Sequence, residues 1–538
     1  MKFVEITLAA LILIIFGLTR LSFLDGGVLI VEPDEWSYHA ATQSLKTDGY
    51  PPKIVGTYFF DQVPLFEYLS LPLTFFFPDE NTKNFVPQRL VSVIASLGTL
   101  ILIYYFLRKK FNFWYGFFGN LFFLLTPLSL FYSKVGLRES LLIFGILSFF
   151  IAFQFLKEND GGAFLPKLVL AVTTLTFAIF AKTTGIILLG IPFFYFVISF
   201  FERVRISKLK LGNYKVDIKL TSLKKLKKEI SSLILIFISP LVLTFLAFLP
   251  YYFISKLYLK NRLTLLFFSH NLVGTLEKLT NAKQYLESLP FWLTFPFLIF
   301  STFGIYLSFV KRKGFWFDCF LILFLITIFL SANEFNPRYF VLTTPILVLF
   351  AAFGLGEFVF WLKKLKVSII IVILLVFGLY LSMLPQSILA LKSTNHNLLE
   401  MVKDIMQKEK GNIKFAFSTF WPEIVQYQTG FSSSWITDSG LDANRPNSYL
   451  PNYSPKFDHP TSNLIADGLE AFVLILEPAD PDMFSERKRA VAQIEKDFNP
   501  FIKITDNKPN FPWTKNPYSL VIYKTTEEYF KRPDIKND

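Results

Sequence analysis

The sequence predicts a mainly α, polytopic membrane helix bundle followed by a small α/β domain, and three observations predict it. Of 538 residues, 53% are hydrophobic and only 18% are charged, where soluble domains carry about 25% charged residues. The apolar residues are gathered into long blocks such as 3–18 (broken only by Glu5 and Thr7), 90–107 and 367–384. Each approaches the roughly 20 residues that a helix rising ~1.5 Å per residue needs to cross a ~30 Å hydrocarbon core. From about residue 390 the chain changes to Asn/Pro/Ser-rich stretches with short β-type runs.

About eleven transmembrane helices are expected, near 4–24, 88–107, 111–131, 137–156, 165–181, 184–201, 231–253, 290–310, 315–332, 339–361 and 367–388. The first is read as a retained span, because 21–24 offers no small-residue cleavage site and ten further spans follow. The basic clusters fix the orientation. With Lys2 inside, Arg108-Lys109-Lys110, Lys157, the basic loop 202–230, Lys311-Arg312-Lys313 and Lys363, Lys364 and Lys366 all fall on the same side, as the excess of Lys and Arg in cytoplasmic loops requires. The N-terminus is then cytoplasmic and the tail extracytoplasmic; loop 254–289, with Lys256, Lys260 and Arg262, is the mild exception. A formal charge of +13 would point a soluble chain towards nucleic acid, but membrane orientation accounts for it here. The single cysteine, Cys319, lies in an apolar run, and no Cys/His cluster has metal-site spacing, so neither a disulfide nor a metal is expected.

Two outer segments have structure of their own. In loop 25–87, residues 34–46 read as a partly amphipathic helix. Residues 63–77 are strongly apolar but interrupted by Pro64 and Pro72, which suits a helix lying in the interface. The tail reads as a helix near 397–408 with strands near 414–417, 471–476 and 519–523. The expected organisation is a transmembrane catalytic domain over 1–389, with interfacial helices in its first outer loop, and an extracytoplasmic α/β domain over 390–538.

The ionisable residues on the outer side carry the functional signal. Asp34 and Glu35 stand where the chain leaves the first span and enters a helix. Acidic residues in a first helical turn also serve capping and the helix dipole, so a purely structural reading stands beside a catalytic one. Arg138 and Glu139 open the fourth span, Lys182 lies between the fifth and sixth, and Arg338 opens the tenth. Charges at the edge of a membrane bundle are costly unless paired or wet, which makes them functional candidates; simple snorkelling to the interface is the alternative for Lys182 and Arg338. Cations converging near carboxylates suit an anionic phosphate joined to a reactive carbon. His39 reads as part of the polar face of its helix.

The order of these motifs resembles the GT-C superfamily, in particular the protein O-mannosyltransferase and aminoarabinose transferase group. The resemblance rests on Asp34-Glu35-x-x-Tyr38-x-x-Ala41 after the first span, Asp61-Gln62-Val63-Pro64-Leu65, Arg89-Leu90-Val91-Ser92, Thr126-Pro127-x4-Tyr132-Ser133-x4-Arg138-Glu139, Ala181-Lys182-Thr183-Thr184-Gly185 and Pro337-Arg338-Tyr339. It runs over most of 1–390. Gln62-Val63-Pro64 supplies neither the His nor the Lys that these relatives carry beside that proline, which leaves open the residue of 61–65 that contacts the donor.

The resemblance implies a polyprenyl- or dolichyl-phosphate sugar donor and transfer with inversion to a hydroxyl of a protein, lipid or glycan, on the outer face of the cell membrane. No cofactor or metal is implied. Asp34 would be the base and Glu35 would orient the acceptor or a neighbouring helix. Lys182, Arg338 and Arg138 would hold the phosphate, with Tyr38, Asp61, Gln62 and Glu139 as further substrate-site candidates. The group includes mannosyltransferases of the cell envelope, and the resemblance leaves the sugar and the acceptor open. A transporter or flippase of lipid-linked glycans is the alternative; it would favour inverted repeats and charges near midspan, whereas here no repeat is visible and the charges lie at span ends.

Overall fold

A computed structural model of the chain describes residues 2–22, 34–50, 63–77, 85–158, 164–203, 223–254, 275–311, 314–332, 335–394 and 398–409, with short stretches around them and the strands of the tail. Asp61, Gln62, most of the basic loop 202–230 and much of loop 254–289 lie outside the described residues.

The chain divides into two compact units. The first comprises Met1–Ser22, Phe59–Leu69 and Arg89–Ile388; the second comprises Phe23–Tyr58, Ser70–Gln88 and Leu389–Asp538.

The first unit is a helix bundle. Seven helices among the described residues are long and apolar enough to cross a membrane, for example Val86–Lys110, Glu139–Lys157 and Ile369–Lys392; the bent pair Thr280–Leu293 and Phe295–Lys311 is an eighth if taken as one span. The chain is thus a multi-pass membrane protein. The remaining expected spans are shorter apolar helices, Phe113–Leu125, Thr183–Ile198 and Gly314–Leu330. Local sequence explains the departures from one straight helix per span. The expected span 111–131 breaks at Thr126, because Pro127 has no N–H and starts a new helix, Pro127–Tyr132. Span 184–201 opens as a 3-10 turn over Thr183–Leu189 before the α-helix Gly190–Arg203.

The break at Pro127 exposes carbonyls that other helices satisfy. Phe123 O has lost its i+4 donor, and the wholly buried Arg20 donates to it at 3.3 Å and to Leu124 O at 2.9 Å. Ser387 Oγ donates to Leu125 O at 2.5 Å. Three helices are so fastened through one prolyl break.

Helix packing follows the small residues. At Gly304 a Cβ would sit 1.9 Å from Phe350 O, and at Gly354 it would sit 2.3 Å from Phe300 O, so Phe295–Lys311 and Thr344–Lys364 meet backbone to backbone. The outer surfaces are lipid-like: Ile370, Ile373, Leu374 and Phe377 of Ile369–Lys392 are exposed.

Ion pairs mark the two ends of this bundle. At one end Arg108 meets Glu5 at 3.1 Å, Lys110 and Lys109 meet Glu158, Lys157 meets Asp318 at 2.7 Å and Lys311 meets Glu357 at 2.5 Å. Lys157 ends the helix that Glu139 begins, so Arg138 and Glu139 belong to the opposite end.

In the second unit, helix Asp34–Thr47 buries Glu35, Trp36, Tyr38, His39, Ala41 and Leu45. The expected interfacial helix 63–77, whose start belongs to the first unit, is a short α-helix, Leu65–Ser70, continued as a 3-10 turn, Leu71–Phe75, around Pro72. The tail holds a six-stranded mixed sheet, in the order Gly440–Leu441, Ser432–Thr437, Phe415–Ser418, Ala471–Glu477, Pro517–Thr525 and Ile502–Pro509. Phe415–Ser418 is parallel to both of its neighbours, and the other pairings are antiparallel. Residues 472–476 are all buried, which a strand covered on both faces requires. Helix Leu398–Lys408 packs on the sheet through Leu398, Val402 and Met406 at i, i+4 and i+8.

Candidate functional site

Four of the sequence-predicted residues meet at one end of the bundle. The turn before Glu139–Lys157 is fixed by Ser140 Oγ donating to Tyr132 O at 2.6 Å and Ser92 Oγ donating to Leu137 O at 3.1 Å. That turn presents Arg138 and Glu139 side by side, and the helix dipole favours an acid in the first turn. Arg138 Nη2 donates to Glu67 Oε1 at 2.5 Å, with both side chains wholly buried. Glu139 Oε1 accepts a hydrogen bond from Lys182 Nζ, again with both side chains almost wholly buried.

Lys182 sits where helix Phe164–Ala181 gives way to the 3-10 turn. Gly185 N donates to Lys182 O at 2.8 Å. A Cβ on Gly185 would lie 2.4 Å from Ala178 O, so glycine lets the turn fold back on the end of the helix and holds Lys182 inward. Its ammonium lies 5.4 Å from the centre of the Tyr339 ring. Arg338 shares that ring: its Cζ is 5.2 Å from the centre, and Nη2 donates to Tyr339 Oη at 3.3 Å. Stacking of two cations on one ring is a cation–π arrangement that partly offsets their mutual repulsion.

The Arg338 turn is built from its own sequence. Asn336 caps the short helix Pro337–Phe340 by accepting from Arg338 N at 3.0 Å, with Pro337 in the first helical position. Tyr285 Oη accepts from Asn336 N at 3.0 Å and donates to Asn336 O at 3.3 Å. Trp292, Phe335 and Phe340 surround Tyr285 at ring separations of 4.8–6.0 Å. This aromatic block is what aims the Arg338 turn.

Asp34, Glu35 and Tyr38 belong to the second unit, on the first turns of helix Asp34–Thr47. Glu35 and Tyr38 are buried, whereas Asp34 is half-buried. His39 is also buried, with Nδ1 3.4 Å from Gln88 Oε1 and its ring 4.7 Å from that of Phe85. Asp61 and Gln62 are outside the described residues.

Two groups were not singled out by the sequence reading. Glu67, the partner of Arg138, is an acid inside an apolar interfacial run, and its position there was the available signal. Asp318, at the other end of the bundle, accepts from Tyr195, Gln154 and Lys157. An aspartate in an otherwise apolar helix carries the same signal.

No family model matches the sequence, and no curated protein matches it. Solved structures do. ArnT from Cupriavidus metallidurans, solved bound to undecaprenyl phosphate, is similar at a TM-score of 0.58 and 12% identity, covering 96% of this chain and 97% of that one. The apo form of that protein gives 0.59, with 98% of each chain covered. The Archaeoglobus fulgidus oligosaccharyltransferase AglB, solved with an inhibitory peptide and a dolichol-phosphate, gives 0.55 at 12% identity over 98% of this chain and 77% of that one. With the helix bundle and the tail sheet described above, these likenesses establish that the chain has a GT-C-like fold.

Proposed function

We propose that the chain is an inverting glycosyltransferase that moves a hexosyl or pentosyl group from a polyprenyl or dolichyl phosphate to a hydroxyl acceptor on the outer face of the cell membrane. The observation that carries this reading is the pairing of buried Lys182 and half-buried Arg338 on one aromatic ring at one end of the bundle. Lysine offers a point charge and arginine a planar fork, and both suit phosphate oxygens. The likeness to two proteins solved with lipid phosphates supports the same substrate class.

In the proposed reaction a carboxylate takes the proton of the acceptor hydroxyl as its oxygen attacks the anomeric carbon. The bond from that carbon to the phosphate oxygen breaks, and the released lipid phosphate carries the additional negative charge. Asp34 is assigned as the base: it is half-buried, and an acceptor arriving from outside must reach it, whereas Glu35 is wholly buried and suits an orienting role. Lys182 and Arg338 stabilise the leaving phosphate. Arg138, paired with Glu67 at the same end of the bundle, is assigned a supporting role. Residues 1–389, with the outer loop 25–87, are assigned as the catalytic domain and 390–538 as the extracytoplasmic domain, with the N-terminus cytoplasmic.

The test is release of polyprenyl phosphate from a panel of polyprenyl-phosphate sugars by purified protein in lipid. Asp34→Asn should lower release by about 10²–10⁴-fold. Lys182→Ala should lower it by about 10²–10³-fold. Asp34→Asn should remain monodisperse; Lys182→Ala strands the buried Glu139 carboxylate, so its release is read per folded, monodisperse protein. No release by the wild-type protein from any donor, with a crude membrane extract as acceptor, would instead favour transport of lipid-linked glycans.

A further inference from the structure

The carboxylates of the bundle, Asp318 and Glu139 buried and Glu158 and Glu357 half-buried, differ in how fully they are used. Asp318 has both oxygens engaged, Oδ1 by Tyr195 and Oδ2 by Gln154 and Lys157. Glu357 likewise accepts from Tyr115 at Oε1 and pairs with Lys311 at Oε2. Glu158 meets Lys110 through one oxygen and Lys109 through the other. These are closed locks between helices. Glu139 is not: Oε1 is held by Lys182, while Oε2 is buried and has no hydrogen-bond partner among the described residues. The Thr184 hydroxyl, two residues along from Lys182, is a second buried polar atom without one.

Leaving an acceptor of this kind without a donor costs about 1–3 kcal/mol, and more for a charged group. Such a position persists where function requires it. Lys182 fixes the carboxylate and keeps its negative charge matched, so the remaining lone pairs of Oε2 are presented in a defined direction beside the phosphate cations. A group lying next to a sugar phosphate and offering a donor hydrogen is a ring hydroxyl of that sugar.

We propose that Glu139 is the residue that selects the sugar, with Oε2 accepting a hydrogen bond from one hydroxyl of the transferred glycosyl group. This rests on the glycosyltransferase reading and adds a specificity-determining contact to it. Glu139 serves two partners at once. It positions Lys182 through Oε1 and reads the donor through Oε2.

The experiment compares polyprenyl-phosphate hexoses with their monodeoxy counterparts, in the wild-type protein and in Glu139→Gln and Glu139→Asp. In the wild type, removal of one particular hydroxyl should lower kcat/KM by about 10- to 100-fold, the range for a hydrogen bond to a charged group. In Glu139→Gln the parent sugar should fall by a similar factor, and the penalty for that one deoxy position should shrink to a few-fold. Coupling confined to one ring position is what a direct contact produces and a structural role does not. Glu139→Asp keeps the charge opposite Lys182, so it should keep the wild-type melting temperature while showing the same loss of discrimination; it covers the case in which Glu139→Gln fails to fold. A uniform loss across all donors, with the deoxy penalty intact, would overturn the proposal and leave the transferase reading standing. Turnover with water as sole acceptor gives a further check. Coupling that vanishes there would assign Oε2 to the acceptor hydroxyl and overturn the donor assignment. No turnover of any donor by the wild type would overturn both readings together.

Discussion

Arg138 and Glu67 face each other at 2.5 Å with no exposure to solvent, 71 positions apart in the chain. A pair removed so completely from water is held by its own complementarity, and loss of one partner strands the other charge. Glu67→Gln should therefore destabilise the protein by about 3–5 kcal/mol, measured as a fall in melting temperature in detergent or lipid. Glu67→Met combined with Arg138→Met should recover most of that loss, because apolar residues of similar size can replace a buried pair. A double variant as unstable as the single one would show that the two side chains contribute through other contacts. Individual charges at this end could be picked out from the sequence, since Arg138, Glu139, Lys182 and Arg338 each interrupt apolar surroundings. Their partners could not. Which carboxylate meets which cation depends on how distant turns come together, and spacing along the chain carries no trace of it.

At the scale of elements, legibility followed length and apolarity. Val86–Lys110 and Ile369–Lys392 were readable because twenty or so consecutive apolar residues have few other destinations. The break at Thr126 and the 3-10 opening at Thr183 were not, although Pro127 and Gly185 marked both places. In the tail, the strand Ala471–Glu477 announced itself as a continuous apolar run. Ser432–Thr437 and Ile502–Pro509 were missed, being polar or alternating and set towards the edges of the sheet. Helix packing gives the sharpest prediction at this scale. Gly304→Val should cost about 1–3 kcal/mol or more, because no rotamer change can move the Phe350 carbonyl that its Cβ would meet at 1.9 Å. Gly17→Ala is the control, with nothing within 4 Å of the added Cβ. It should leave the melting temperature unchanged, and equal losses in both variants would contradict close helix packing as the cause.

For the molecule as a whole, the basic clusters predict which way it sits in the membrane. Cys319 is buried and is the single cysteine, so Cys319→Ala gives a clean background for labelling. Lys503→Cys, in the exposed edge strand, should react with a membrane-impermeant maleimide in intact cells. Lys364→Cys, exposed at the end of Thr344–Lys364, should react only after permeabilisation. The reverse pattern would invert the topology and, with it, the side on which the proposed reaction occurs. Arg20 bears on how that orientation is reached during synthesis. The first span carries Lys2 before it and Arg20 at its other end, so its flanking charges scarcely distinguish the two directions of insertion. The carbonyls that receive Arg20 lie 103 and 104 residues later, about 5–20 s away at ordinary elongation rates. Until they emerge, the first helix has neither a strong orienting charge nor a home for its guanidinium. On the proposed orientation, its direction is set only once Arg108-Lys109-Lys110 and the helix that follows, which carries Phe123 and Leu124, have been made.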